Sequence, residues 1–258
     1  MNKGFGSKKG FQKENHDKAK LIKQGLRCEK EGDLELAEKY YKEFLALGFL
    51  DYRISINYAK ILKRKNKYSD AINLLVITIK EYPKKIQTYI SLINIYIENK
   101  QDNEAIELLR KTIKIESNEI ELYNTLASLL YKSKNYTEAE KIINASLYIN
   151  PNDCKTILIS ADILFSSKQY KKSIFYMNKA LEIISKSDEL HYKIGKAYQL
   201  INNNKLAIYH YTEATKINNK EIIYINDLVN LIKKSGDYEK AIKIYQTASS
   251  IHKENESI

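Results

Sequence analysis

The chain has 258 residues, 43% of them apolar and 29% charged, a balance that excludes a wholly disordered polymer. Two prolines and eight glycines are too few to turn an all-β chain, so long helices are expected. The formal charge of +11 raises nucleic acid or an anionic surface as a partner, yet only four of the 43 basic residues are arginine, and a chain this rich in lysine, isoleucine, asparagine and tyrosine owes part of its basicity to composition bias.

In chain order, residues 1–17 (MNKGFGSKKGFQKENHD) hold three of the eight glycines, show no period and are expected to form a disordered basic tail. With no apolar leader segment and no 18-residue apolar stretch, a cytoplasmic protein without membrane insertion is expected. Beyond the tail a phrase recurs. Residues 66–75 read NKYSDAINLL and residues 134–143 read KNYTEAEKII, and midway between Ala71 and Ala139 stands Ala105, so the period is 34. The same ruler lands on Ala37, Ser173, Ala207 and Ala241. Twelve residues before each mark stand Gly25, Ala59, Ile93, Ala127, Ala161, Gly195 and Val229, and seven after it stand Phe44, Thr78, Thr112, Ser146, Ala180, Ala214 and Ala248. These three columns hold 12 of the 16 alanines, a concentration that composition alone does not produce.

Both prolines, Pro83 and Pro151, lie twelve residues after a mark, and Gly32 and Gly236 lie five before one, so the breakers fall between helices. Each unit therefore reads as two helices, with repeats at 18–51, 52–85, 86–119, 120–153, 154–187, 188–221 and 222–258. Small columns have a physical cause: two antiparallel helices that cross closely, at about 8 Å, leave no room for bulk at the contact. The large residues four after each mark (Tyr41, Leu75, Leu109, Ile143, Met177, Tyr211, Tyr245) fill the space beside it. One pair cannot bury both of its faces, so the units must stack.

This pattern resembles the tetratricopeptide repeat family, in particular its bacterial-type members built from repeats alone, over residues 18–258. The resemblance rests on the small columns, the large residue after the mark, Tyr68, Tyr136, Tyr170 and Tyr238 three before it, and the two prolines. It implies an all-α, right-handed α-solenoid of seven 34-residue helix-turn-helix repeats. The family's tryptophan, sixteen before the mark, is replaced by Leu21, Ser55, Tyr89, Tyr123, Ile157, His191 and Ile225.

No catalytic signature occurs: GxGxxG, GxxxxGK[ST], HExxH, a CxxC pair and GxSxG are all missing, so no enzyme, no cofactor and no metal is expected. Cys28 and Cys154 read as small hydrophobes, His191 and His210 as packing residues. What remains is surface. In stacked helix pairs the first helices line the concave side, and one stripe along them carries Arg53, Asn57, Lys60, Lys63 and Arg64 in repeat two and Asn94 in repeat three. It continues with Asn124, Tyr131, Phe165, Tyr192 and Lys196, and ends on Asn226 and Asn230. The resemblance implies that such a groove holds an extended peptide, asparagines meeting its backbone and cations its acidic groups. The carboxylate clamp of chaperone-binding members is not matched, because Ile22, Leu26, Gln87 and Ser91 stand where its cations and amides would.

The expected function is thus a non-catalytic protein-interaction scaffold that binds an extended, partly acidic peptide or partner protein in this groove. Two rivals are an RNA-binding helical-repeat protein, to which the charge and 21 tyrosines point while the period of 34 does not, and an accessory subunit that recruits a separate transferase-type enzyme. A monomer or weak homo-oligomer is expected, because the last helix keeps Ile242, Ile244, Tyr245 and Ile251 without a following repeat to cover them.

Overall fold

A computed structural model of the protein describes residues 6–256, and side chains from residue 17 to 247. The expected tail of residues 1–17 lies almost wholly outside the described side chains, as do Ala248 and Ile251; the bounds of the first helix begin inside that tail. The described residues are all-α and fall into two compact units, residues 1–117 and 118–258. The first unit holds α1 (Gly6–Glu31), α2 (Leu34–Ala46), α3 (Tyr52–Arg64), α4 (Tyr68–Glu81), α5 (Ile86–Glu98) and α6 (Asp102–Ile115). The second holds α7 (Ile120–Lys132), α8 (Tyr136–Ile149), α9 (Cys154–Ser166), α10 (Tyr170–Ile184), α11 (Asp188–Leu200), α12 (Asn204–Ile217), α13 (Ile222–Lys234) and α14 (Tyr238–Glu256). Each unit is a run of the same helix pair, as the 34-residue period requires.

The turn inside each pair repeats to the residue. Five before every mark the backbone is left-handed: Gly32, Asn66, Lys100, Lys134, Lys168, Asn202 and Gly236 all have φ between 58° and 87°. The next residue then donates its N–H to a carbonyl five back, Lys67 to Leu62 at 2.9 Å, Asn135 to Leu130 at 2.9 Å and Gln169 to Leu164 at 2.8 Å, which closes the last turn of the first helix. Only Gly32 and Gly236 are free of the steric cost of that conformation; three lysines bear it. Among the second helices, α2, α8 and α12 are then capped from within the turn, the side chains of Asp33, Asn135 and Asn203 accepting from the N–H of Leu36, Glu138 and Leu206, whereas α4, α6 and α10 have no side-chain cap.

The small columns sit where close packing demands them. All seven mark residues are 0% exposed, and Ser173, the one exception to alanine, donates its hydroxyl across the pair to the Ala161 carbonyl at 2.8 Å. Thr78 and Thr112 in the column seven after the mark satisfy their hydroxyls on the carbonyls of Leu74 and Leu108, both at 2.7 Å, so these polar residues cost the core little.

Candidate functional site

In the first unit, the stripe residues of α3 stand side by side, but half of their charge is already used. Arg53 returns to Asp51, the N-cap of its own helix, with Nε and Nη2 at 3.2 and 3.1 Å from the carboxylate. Lys63 reaches Glu98 of α5 at 2.7 Å. Lys60 and Arg64 are exposed and form no hydrogen bond or ion pair among the described residues. Asn57 is half-buried, its amide meeting the Tyr41 hydroxyl, which donates to Glu29 at 2.7 Å; Asn94 is exposed.

In the second unit, Tyr131 of α7, Phe165 of α9, and Tyr192 and Lys196 of α11 line a single cavity of about 550 Å³. Each ring is held in place. Tyr131 shares a 3.1 Å hydrogen bond with Ser166, Phe165 meets the edge of Tyr170 at 5.4 Å, and Tyr192 stacks on Tyr224 of α13 at 4.5 Å while donating to Asp227 at 2.7 Å. Burial, then the Asp227 carboxylate, pushes the Tyr192 phenol above its ordinary value, so it stays a donor at neutral pH. The Lys196 ammonium lies over the Tyr192 ring, 5.4 Å from its centroid.

One expectation from the sequence needs correction. Asn124 is 1% exposed and does not face a groove: its Oδ1 accepts from Ser146 and Thr156, both at 3.0 Å, and its amide approaches Asp153 at 3.4 Å, tying α7 to α8 and α9. Asn226 is half-buried and accepts from the Tyr245 hydroxyl at 3.1 Å, whereas Asn230 is exposed as expected. A further cation beside the aromatic rings, Lys193 of α11, is already paired. Lys193 is clasped by Asp162 at 3.0 Å and Glu189 at 3.1 Å, which hold its ammonium above the usual lysine range against the opposing effect of burial.

Sequence reasoning missed Tyr224, Ile223 and Glu221, which complete the cavity wall. It also missed that His191 and His210 form a pair, Nδ1 to Nδ1 at 3.1 Å. A signal for such contacts was present: Lys63 and Glu98, Lys155 and Glu121, Tyr131 and Ser166, and Tyr192 and Asp227 are all hydrogen-bonded partners 34 or 35 residues apart, one period of the repeat. Among the described residues no three His, Cys, Asp or Glu side chains converge as metal ligands, and no helix is long and apolar enough to cross a membrane.

Family models described as tetratricopeptide repeat match residues 96–157 and 156–187. Residues 96–187 thus match tetratricopeptide repeats. Among solved structures similar to it is a tetratricopeptide repeat protein from Parabacteroides merdae, 17% identical, with 91% of this chain and 93% of that one covered at a TM-score of 0.65. MamA from Desulfovibrio magneticus RS-1 is 18% identical over 66% of this chain and 96% of its own, at 0.61. YrrB, described as having an unusual peptide-binding site, is 17% identical over 69% of this chain and 91% of its own, at 0.61. At these identities the likeness is one of fold. No curated protein matches the sequence.

Proposed function

We propose that the chain is a non-catalytic protein-interaction scaffold that binds an extended segment of a partner protein on the exposed faces of its first helices. The observation that carries this reading is the second unit's cavity, where side chains from α7, α9, α11 and α13 converge and the rings are fixed by internal hydrogen bonds and stacking. Rings already held lose little freedom when a ligand covers them, so their contact area is available as affinity. YrrB supports the reading as a protein of like fold with a peptide-binding site. In the first unit, Lys60 and Arg64 are cations without partners among the described residues and suit acidic residues of such a segment. The carboxylates beside the aromatic rings, Asp162 and Glu189, count against an RNA strand as the occupant.

The test is capture of a partner from lysate by the full chain, followed by binding kinetics with the purified partner. Phe165→Ala should speed dissociation by roughly tenfold, the loss of one aromatic anchor. Lys60→Ser with Arg64→Ser should slow association and flatten its salt dependence. Variants that bind as the wild type does would move the working surface to the outer helices.

A further inference from the structure

The cavity of the second unit is aromatic and acidic, the opposite sign to the basic stripe of α3, and so calls for a cationic ligand. Its wall carries three carboxylates, Asp162, Glu189 and Glu221, against two ammonium groups. Lys193 is consumed by Asp162 and Glu189, at 3.0 and 3.1 Å. Glu221 ends the loop before α13, makes no cap through its side chain, and forms no hydrogen bond or ion pair there among the described residues. One carboxylate is therefore left over, beside the stacked faces of Tyr192 and Tyr224.

We propose that this cavity receives a cationic side chain, lysine or arginine, from the partner polypeptide, with an apolar neighbour of that residue on Phe165. This deepens the scaffold reading and rests on it. Three physical reasons support the cation. An ammonium or guanidinium entering the cavity pairs with Glu221 where a carboxylate would add a like charge to a site already in anionic excess. Its aliphatic stem covers ring surface while its charged end stays near water. The ring face also demonstrably accepts a cation, since the protein's own Lys196 rests its ammonium over Tyr192 at 5.4 Å. The pKa directions agree: the Tyr192 and Tyr224 phenols are both raised, first by burial, and Glu221 is among the carboxylates that add to it. Arginine fits better than lysine, because its planar group both stacks on a ring and forks onto a carboxylate.

The experiment uses the full chain and three synthetic probes, N-acetyl-Phe-Arg amide, N-acetyl-Phe-citrulline amide and N-acetyl-Phe-Glu amide, titrated to 10 mM with fluorine-labelled tyrosine read by NMR. The arginine probe should shift the Tyr192 and Tyr224 signals saturably and bind at least threefold more tightly than the uncharged citrulline probe. The glutamate probe should be weaker still. Glu221→Gln, which removes only the unpaired charge, should abolish the preference for arginine over citrulline while leaving the helical circular dichroism unchanged. Glutamate binding as well as arginine, a preference that survives Glu221→Gln, or no saturable shift with any probe would overturn the proposal. The two readings fail separately: if Phe165→Ala weakens partner binding but the probes show no charge preference, the groove stands and the cation falls, whereas indifference of the partner to Phe165→Ala removes the scaffold surface itself.

Discussion

Repeats six and seven place a tyrosine at the same position, four past the mark, yet Tyr211 is wholly buried while Tyr245 is 38% exposed. The difference lies across the helix pair. Tyr211 packs over Gly195, where an added Cβ would stand 2.6 Å from the ring, and its hydroxyl donates to Gln199 at 2.7 Å. Repeat seven has Val229 at the position of Gly195, and Tyr245 lies partly outside and donates to Asn226 at 3.1 Å, with the Lys233 ammonium 5.4 Å from its ring centroid. Repeat one repeats the buried solution independently: Tyr41 covers Gly25 and donates to Glu29, the residue at the same place as Gln199. A tyrosine in this column is thus an anchor where a glycine makes room for its ring and a polar residue eight before the mark accepts its hydrogen bond.

The largest way to separate the two repeats is pH. Repeat six carries His191 and His210 where repeat seven has Ile225 and Ile244, and their 3.1 Å contact needs one N–H and one lone pair, so at least one of the two rings is neutral when folded. Burial lowers both pKa values, His210 to about 4, the charge of His191 adding to the effect and Glu213 opposing it. Between about 4 and the unfolded value of about 6.5 the unfolded chain binds more protons, so the contribution is complete above pH 6.5 and is lost as pH falls toward 4, by roughly 2–3 kcal/mol at 1.36 per unit. Urea unfolding at pH 7, 5.5 and 4.5 should show this decline, and His191→Ile with His210→Ile, which copies repeat seven, should make it shallower by about that amount. Equal slopes in the two proteins would contradict the neutral pair.

A smaller effect tests the glycine. Gly195→Ala gains about 1 kcal/mol in helix propensity, but overpacking against the Tyr211 ring costs about 1–3 kcal/mol, so a net loss of up to about 2 kcal/mol is expected in thermal unfolding. Adding Tyr211→Leu should recover most of it, because the result is the Ala59 and Leu75 pairing of repeat two. If Gly195→Ala raises the melting temperature, the ring is not seated on the glycine. Least of all, Tyr211→Phe should cost about 1 kcal/mol for its buried hydrogen bond, while Tyr245→Phe should change stability by less than about 0.5 kcal/mol. Equal costs would erase the distinction between the two tyrosines.

Much of this arrangement was legible before any coordinates. The breakers expected at Gly32 and Gly236 are left-handed residues between helices, and the expected mark column is buried in every copy. The candidate surface was read less completely. Tyr131, Phe165, Tyr192 and Lys196 do share a cavity, because a stripe at helical spacing on successive first helices converges when the helices stack. Asn124 failed for a specific reason: it lies on the same stripe, but Ser146 and Thr156 turn their hydroxyls toward it, and a buried amide with three partners becomes part of the core.

The sequence by itself determined the period, the helix pairs and the columns of close contact, because these follow from local properties: where glycine and proline interrupt, where apolar residues recur, and where only a small side chain fits between backbones. Tertiary structure alone decided which charges remain available. Lys63 meets Glu98 across 35 residues and Lys193 meets Asp162 across 31, whereas Lys60, Arg64 and Glu221 have no side-chain partner among the described residues. Ion pairing depends on distances of a few ångströms between different helices, and a count of lysines along one stripe holds no information about those distances.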